Sequence, residues 1–115
     1  MMNSECIFCR IISRDIPADL IFETDSIIAF RDINPKAPQH ILIVPKKHID
    51  RIENLDENDH CLMGELVYGA KLVAEKLRLD DGYRLIVNNG ADAGQEVEHI
   101  HLHLLGGRKM TWPPG

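Results

Sequence analysis

The chain has 115 residues, a formal net charge of −5 and 44% hydrophobic residues, a composition typical of globular proteins. The acidic balance argues against nucleic acid as a partner, because proteins that bind polyanions carry a basic surface. No apolar run reaches the ~20 residues that span a membrane, and Met1–Glu5 does not resemble a secretory signal. Three cysteines, an odd number, argue against a disulfide framework, so we expect a cytoplasmic protein without membrane contact.

The length suits one domain, which we expect over residues 1–115, with a core over about 6–105 and a C-terminal tail over 106–115. The spacing of apolar residues predicts a short helix over 5–12 and a long helix through Leu62–Leu77, capped by Asn54 or Asp56. Strands are predicted over Leu20–Glu23, Ile27–Arg31, His40–Val44, Tyr83–Val87 and Val97–Leu105. Strands interrupted by one long helix favour an α+β domain with a mainly antiparallel sheet.

Three histidines at alternate positions, His99, His101 and His103, form the most informative segment. On a strand their side chains would share one face, and the apolar residues between them would occupy the other. The alternative is a half-buried strand whose polar face consists of histidine by chance, although histidine is a scarce residue. A single metal ion cannot easily bind all three, because the outer pair would lie about 13 Å apart. A neutral imidazole is a nucleophile near pH 7, and the neighbours of His101 could orient it and bind a phosphate.

The loop over 88–95 lies immediately before these histidines. Gly90 and Gly94 permit a tight path that can direct backbone N–H groups at an anion. Most such stretches are merely turns, but the position of this one predicts a phosphate-binding loop.

The cysteines divide into a pair and a single residue. Cys6 and Cys9 are three positions apart, which suits a zinc ion but supplies only two of four ligands. Two small core residues on a short helix explain the spacing equally well. We expect Cys61 to be a core residue of the long helix and His60 to be solvated.

Residues 94–104, Gly-Gln-Glu-Val-Glu-His-Ile-His-Leu-His-Leu, resemble the signature of the histidine triad family. The similarity runs from about Cys6 to the C-terminus, and the Trp112–Gly115 tail resembles the branch of nucleotide-binding purine nucleoside phosphoramidases in particular. Other similar segments are Ile16-Pro17-Ala18, Phe30-Arg31-Asp32-Ile33, Ala37-Pro38-Gln39-His40 and Pro45-Lys46-Lys47-His48.

This resemblance implies the histidine triad fold, an α+β domain with a five-stranded antiparallel sheet, one long helix and one short helix. It implies a homodimer with a continuous sheet, and the apolar surface of the long helix and of Trp112 favours the same assembly. The implied activity is hydrolysis of adenosine or guanosine 5′-monophosphoramidates through a covalent nucleotidyl-histidine, with AMP, GMP and their amides as ligands. A dinucleoside polyphosphate hydrolase and a non-catalytic nucleotide-binding adaptor are the alternatives.

The resemblance also implies roles for individual residues. His101 would be the nucleophile, with His40 and His103 around the phosphate. Asp32, with Ile33 beside it, would bind the ribose. The residues that would meet the phosphate and leaving group are Asn88, Gly94, Gln95 and Glu96. The residues that would form an apolar slot for the base are Ile7, Phe8, Ile11 and Phe22, although core packing explains each of these equally well.

Two further features concern the leaving group and a metal. Glu96 stands where many relatives carry a serine that donates a hydrogen bond to the departing group, and a carboxylate could act as a general acid only when protonated. This leaves the leaving-group preference open. Some relatives bind zinc through such a cysteine pair, the histidine of Pro-Lys-Lys-His and the first triad histidine. The resemblance therefore implies a structural zinc, not required for catalysis, on Cys6, Cys9, His48 and His99.

Overall fold

A computed structural model describes residues 5–115; Met1–Ser4, part of the segment in which no secretory signal is predicted, lie outside the described residues. The elements in chain order are helix α1 (Ile7–Ile12), strands β1 (Leu20–Glu23), β2 (Ile27–Arg31) and β3 (Gln39–Pro45), helix α2 (His60–Lys76), and strands β4 (Tyr83–Ile86) and β5 (Leu102–Gly106). The strands form one antiparallel sheet in the order β1-β2-β3-β5-β4. The predicted α+β fold is confirmed.

Alternating side chains of the central strands divide the core into two layers. The layer against α2 contains, from the sheet, Ile27, Ala29, Ile41, Ile43, Leu102 and Leu104. The layer on the other face contains Cys6, Phe8, Cys9 and Ile11 from the region of α1, with Ile28, Phe30, Leu42 and Val44 from the sheet. His40 and His103 alternate with members of the α2 layer, so both side chains lie on the α1 face of two adjacent strands.

The last predicted strand begins too early. The expected start at Val97 is wrong, since β5 begins at Leu102. The hydrogen-bonded pairing of β5 with β3 does not extend to residues before Leu102. Pro45, at the end of β3, has no N–H to donate, and its carbonyl accepts a hydrogen bond from the His99 ring instead. The alternation is nevertheless kept, because Ile100 still packs in the α2 layer. The other four strands agree with their predicted bounds to within one residue.

Helix α2 follows a 3-10 turn at Glu57–Asp59, whose cap is Asp56, one of the two predicted caps. The buried side of α2 carries Leu66, Gly69, Ala70, Val73 and Ala74. The expectation that Cys61 is a core residue is wrong: it lies in the first turn of α2, away from the buried face, and is exposed. His60 is exposed as expected. Among residues 5–115, no helix is long and apolar enough to cross a membrane.

The start of α2 is tied to the end of β3 by a buried carboxylate. Asp59 accepts from the Lys47 ammonium at 2.7 Å with one oxygen and from the Asp56 N–H at 3.0 Å with the other. Its side chain is only 5% exposed. These bonds hold in place the loop that begins after β3 and includes His48.

We expect Asp59→Asn to lower Tm by several degrees, because it removes the charge that the Lys47 ammonium contacts in a buried position. The matched control is Glu57→Gln, which changes the charge of an exposed residue in the same turn. Calorimetry of both variants measures the difference. Equal Tm values for the two variants would contradict this role for Asp59.

Candidate active site and metal centre

The four predicted zinc ligands converge beside α1. Cys6 and Cys9 lie at the start of this helix, where the Cys6 sulfur accepts from the Cys9 N–H at 3.5 Å. His48 follows β3, and His99 precedes β5. One sulfur or nitrogen atom from each residue lies within 4.8 Å of the others. Residues far apart in the sequence are therefore brought together as the resemblance implied.

The distances between these atoms are those of a tetrahedral zinc site. The Nδ1 of His99 lies 3.1 Å from the Nδ1 of His48, 3.4 Å from the Cys6 sulfur and 3.7 Å from the Cys9 sulfur. The Cys9 sulfur lies 3.3 Å from the His48 Nδ1. Bond lengths of about 2.0 Å for Zn–N and 2.3 Å for Zn–S place tetrahedral ligands about 3.3–3.8 Å apart.

The backbone fixes which nitrogen of His99 can bind a metal. Its Nε2–H donates to the Pro45 carbonyl at 2.7 Å, so the lone pair is on Nδ1, the atom that faces the other three ligands. Metal-bound histidines typically donate their other N–H to such an acceptor. The cluster has the ligands and geometry of a structural zinc site, and four protein ligands leave no position for a substrate.

His101 is the buried histidine next in the triad, with 6% of its surface exposed. Its Nδ1–H donates to the His99 carbonyl at 2.7 Å, which leaves the lone pair on Nε2. Burial lowers the pKa of His101, against the opposing effects of this hydrogen bond and of the Asp32 and Glu96 charges. A neutral imidazole with an unprotonated Nε2 is the form that a nucleophile requires.

His103, His40 and Asp32 form a hydrogen-bonded group beside His101. The rings of His101 and His103 have centroids 4.9 Å apart. The Nδ1 of His103 lies 2.9 Å from the Nε2 of His40, which also lies 3.4 Å from an Asp32 oxygen. Burial lowers the pKa of His40, and it lowers the pKa of His103 to about 4. Both rings are therefore neutral near pH 7.

Buried apolar residues around Phe8 pack beside these histidines. The Phe8 ring meets His101 edge-on with centroids 5.0 Å apart, and it meets Phe30 at 5.6 Å. Ile11 belongs to the same cluster, but Phe22 packs against the α2 layer on the other face of the sheet. A β-bulge between Leu20 and Phe22 shifts the register there. Phe30, rather than Phe22, therefore packs with Phe8 beside the histidines.

Phe30 was missed although the sequence carries a signal for it. Phe30 and Asp32 are separated by one residue, and strand alternation directs such side chains to the same face. Asp32 uses its other oxygen to accept from the Asn34 N–H at 2.8 Å. Ile33 is 98% exposed, and its predicted role beside Asp32 stays a prediction.

The glycine loop bonds mostly to itself. Gly90 and Gly94 have φ values of 87° and 79°, which favour glycine. The N–H groups of Ala93, Gly94 and Gln95 donate to loop carbonyls, and the Gly90 N–H donates to the Gln95 side chain. These four amides are therefore used within the loop, and a phosphate-binding role for the loop stays a prediction.

Gln95 connects this loop to its surroundings rather than reaching outward. Its amide donates to the Asp50 and Val97 carbonyls at 2.8 and 3.0 Å while its oxygen accepts from Gly90. In the described part of the chain, the side chains of Asn88 and Glu96 make no hydrogen bond, and Glu96 is exposed. Glu96 and Ile7, which is 48% exposed, line an open groove beside Cys6 and His48.

The five-stranded sheet and the three alternating histidines at and just before β5 define a histidine triad protein. The chain belongs to the HIT domain family, whose domain matches residues 13–110. A HIT family hydrolase from Legionella pneumophila Philadelphia 1 has a similar structure, with a TM-score of 0.93 and 52% identity over 96% of this chain and 99% of that chain.

Two further relatives match over nearly their whole length. An uncharacterized HIT-like protein from Synechocystis is 48% identical over 99% of this chain and 100% of its own length. A 14 kDa zinc-binding protein from Zea mays is 47% identical over 98% of this chain and 90% of its own.

We expect the purified protein to contain one zinc per chain, and Cys9→Ser to remove it and to lower Tm by about 10 °C or more, because the closed site joins α1 to β5. Elemental analysis and calorimetry measure the two effects. Cys61→Ser is the matched control, since that thiol is exposed and outside the cluster. Metal-free wild-type protein with undiminished Tm would refute a structural metal.

Proposed function

We propose that the chain is a purine nucleoside phosphoramidase that cleaves adenosine or guanosine 5′-monophosphoramidates through a nucleotidyl-His101 intermediate. The observation that carries this proposal is the 2.7 Å hydrogen bond from the His101 Nδ1–H to the His99 carbonyl, which leaves Nε2 free for attack. Membership of the HIT domain family and the likeness to a HIT family hydrolase support hydrolysis of a nucleotide ligand.

The surroundings of His101 fit a nucleoside monophosphate. The buried Phe8–Phe30 pair beside His101 would form the apolar floor of the base slot, and an oxygen of Asp32 lies 3.4 Å from the His40 Nε2. A carboxylate that accepts two hydroxyl hydrogen bonds suits a ribose diol. We assign the purine to the slot and the 5′-phosphorus to the space in front of His101.

The proposed reaction has two displacements at phosphorus. The Nε2 lone pair of His101 forms a bond to phosphorus while the P–N bond of the substrate breaks, and the departing nitrogen leaves as an amine after taking a proton from water. A second water then attacks phosphorus and gives one proton to the hydroxide left by the first step, while the bond to Nε2 breaks and its electron pair returns to His101 as the monophosphate departs. Dividing the reaction in this way replaces one difficult step with two easier ones.

Glu96 is the residue we assign to the leaving-group side. It is exposed, it makes no hydrogen bond in the described part of the chain, and its charge acts on His101. A carboxylate in this position is an acceptor near pH 7, so it would favour a leaving group that donates hydrogen bonds over one that is anionic.

The zinc and the assembly complete the proposal. A zinc-binding relative from Zea mays and the Cys6–Cys9–His48–His99 cluster support a structural zinc. Val67 and Tyr68 of α2 are 54% and 60% exposed, and Trp112 is 82% exposed. We propose that a homodimer covers these side chains, because a small monomer rarely exposes so much apolar surface. Three cysteines that form no disulfide fit the cytoplasm.

We expect His101→Asn to reduce phosphoramidate hydrolysis about 1,000-fold or more while AMP still binds, because the variant loses the nucleophile but not the slot. The matched control is His60→Asn, which changes an exposed histidine at the start of α2. Steady-state kinetics with an adenosine phosphoramidate and calorimetric titration with AMP measure the two properties.

Hydrolysis by the His101→Asn variant at near the wild-type rate would contradict the covalent route. Loss of AMP binding together with loss of activity would instead show that His101 is needed to form the site itself. Diadenosine polyphosphate assayed beside the phosphoramidate tests the substrate class, and faster turnover of the polyphosphate would overturn the assignment.

A further inference from the structure

A chain of hydrogen bonds beside the nucleophile begins at a backbone amide that no sequence motif marks. The N–H of Lys36 donates to the Nδ1 of His40 at 3.0 Å. The Nε2 of His40 lies 2.9 Å from the Nδ1 of His103. The His103 ring in turn lies next to the His101 ring, with centroids 4.9 Å apart. Hydrogen bonds thus connect His40 and His103 to one fixed donor, and His101 lies beside the end of this chain.

The backbone amide determines where His40 carries its proton. A main-chain N–H can only donate, so the Nδ1 of His40 must present its lone pair to Lys36. A proton on this nitrogen would place two donors 3.0 Å apart. The imidazole of His40 is therefore neutral, and its single proton is on Nε2.

The position of the proton on His103 follows from the position of the proton on His40. The Nε2–H of His40 has two acceptors within reach, the Nδ1 of His103 at 2.9 Å and an oxygen of Asp32 at 3.4 Å. The closer contact is to His103, whose Nδ1 must accept. Because burial keeps His103 neutral, its own proton is on Nε2.

We propose that His40 is a positioning residue that, through the Lys36 amide, fixes His103 as an Nε2–H donor to the phosphoryl oxygen while His101 presents its lone pair to phosphorus. This role rests on the proposed function. The neighbouring rings of His101 and His103 then carry their protons on different nitrogens, because the His101 proton is on Nδ1 and the His103 proton is on Nε2. A donor already oriented toward an oxygen that gains charge stabilises the transition state without reorganisation.

A metal is the competing explanation, because Asp32, His40 and His103 also have ligand spacing. A metal ion on the Nε2 of His40 would force the imidazole proton onto Nδ1, against the Lys36 N–H. The zinc cluster shows the opposite arrangement, in which the His99 proton is used at the Pro45 carbonyl and the lone pair faces the other ligands. Hydrogen bonding therefore explains the Asp32–His40–His103 group, whereas metal binding explains the zinc cluster.

The direct test is the tautomer of each histidine in the zinc-bound wild-type protein. Long-range proton–nitrogen NMR spectra of histidine-labelled protein distinguish an Nδ1–H ring from an Nε2–H ring. We expect Nε2–H for His40 and His103 and Nδ1–H for His101. A His103 ring with its proton on Nδ1, or a doubly protonated His40 at pH 7, would overturn the proposal.

Two variants connect the tautomer to catalysis. His40→Phe keeps an aromatic ring but can neither accept from Lys36 nor donate to His103, whereas His40→Gln retains one acceptor and one donor. We expect His40→Phe to populate the Nδ1–H form of His103 and to lower kcat about tenfold or more, with KM little changed. His40→Gln should restore both the Nε2–H signal of His103 and most of kcat.

The outcomes separate this inference from the proposed function. A wild-type enzyme that cleaves phosphoramidates, with His40→Phe equally active or with an unchanged His103 tautomer, would overturn the role of His40 alone. The expected tautomers in a protein that cleaves no phosphoramidate would overturn the proposed function and the phosphoryl role of His103 with it.

Discussion

A hydrogen bond of 2.7 Å joins the Nδ1–H of His101 to the backbone carbonyl of His99. The residue that provides this carbonyl is also a ligand of the zinc cluster through its own Nδ1, and its Nε2–H is held by Pro45. The metal cluster and the candidate nucleophile therefore share one residue, which is buried completely. Anything that moves His99 changes both the metal site and the orientation of His101. A zinc ion held by this cluster would influence the proposed chemistry through this geometry, without contacting a substrate.

Backbone groups determine the proton positions of the histidines throughout this site. Carbonyls accept from His99 and His101, and an amide donates to His40. A neutral imidazole has one proton, so the partner at one nitrogen decides the chemistry of the other. The carbonyl contacts leave a lone pair of His99 for metal binding and a lone pair of His101 for the proposed attack on phosphorus. The amide contact uses the lone pair of the His40 Nδ1, so the proton of His40 lies on Nε2 and points toward His103.

The sequence predicted the elements well because apolar alternation and helical spacing are local signals. It also indicated the metal ligands and the triad, whose side chains carry the chemistry themselves. It could not identify the Lys36 amide or the Pro45 carbonyl, since a backbone group has no residue type that marks its role. The position of Phe22 was mispredicted for another reason: a β-bulge in β1 shifts the register there, and no local pattern predicts the bulge, whereas the spacing of Phe30 from Asp32 was a usable signal.

The most direct measurement of the central claim is the mass and location of a covalent intermediate. Enzyme mixed with an adenosine phosphoramidate for milliseconds, quenched in neutral denaturant, digested and examined by mass spectrometry, should carry one adenylyl group on the peptide that contains His101. Its formation and decay should be fast enough to account for turnover. Product formed at the steady-state rate without this adduct, or with the adenylyl group on His103, would contradict the assignment of His101 as the nucleophile.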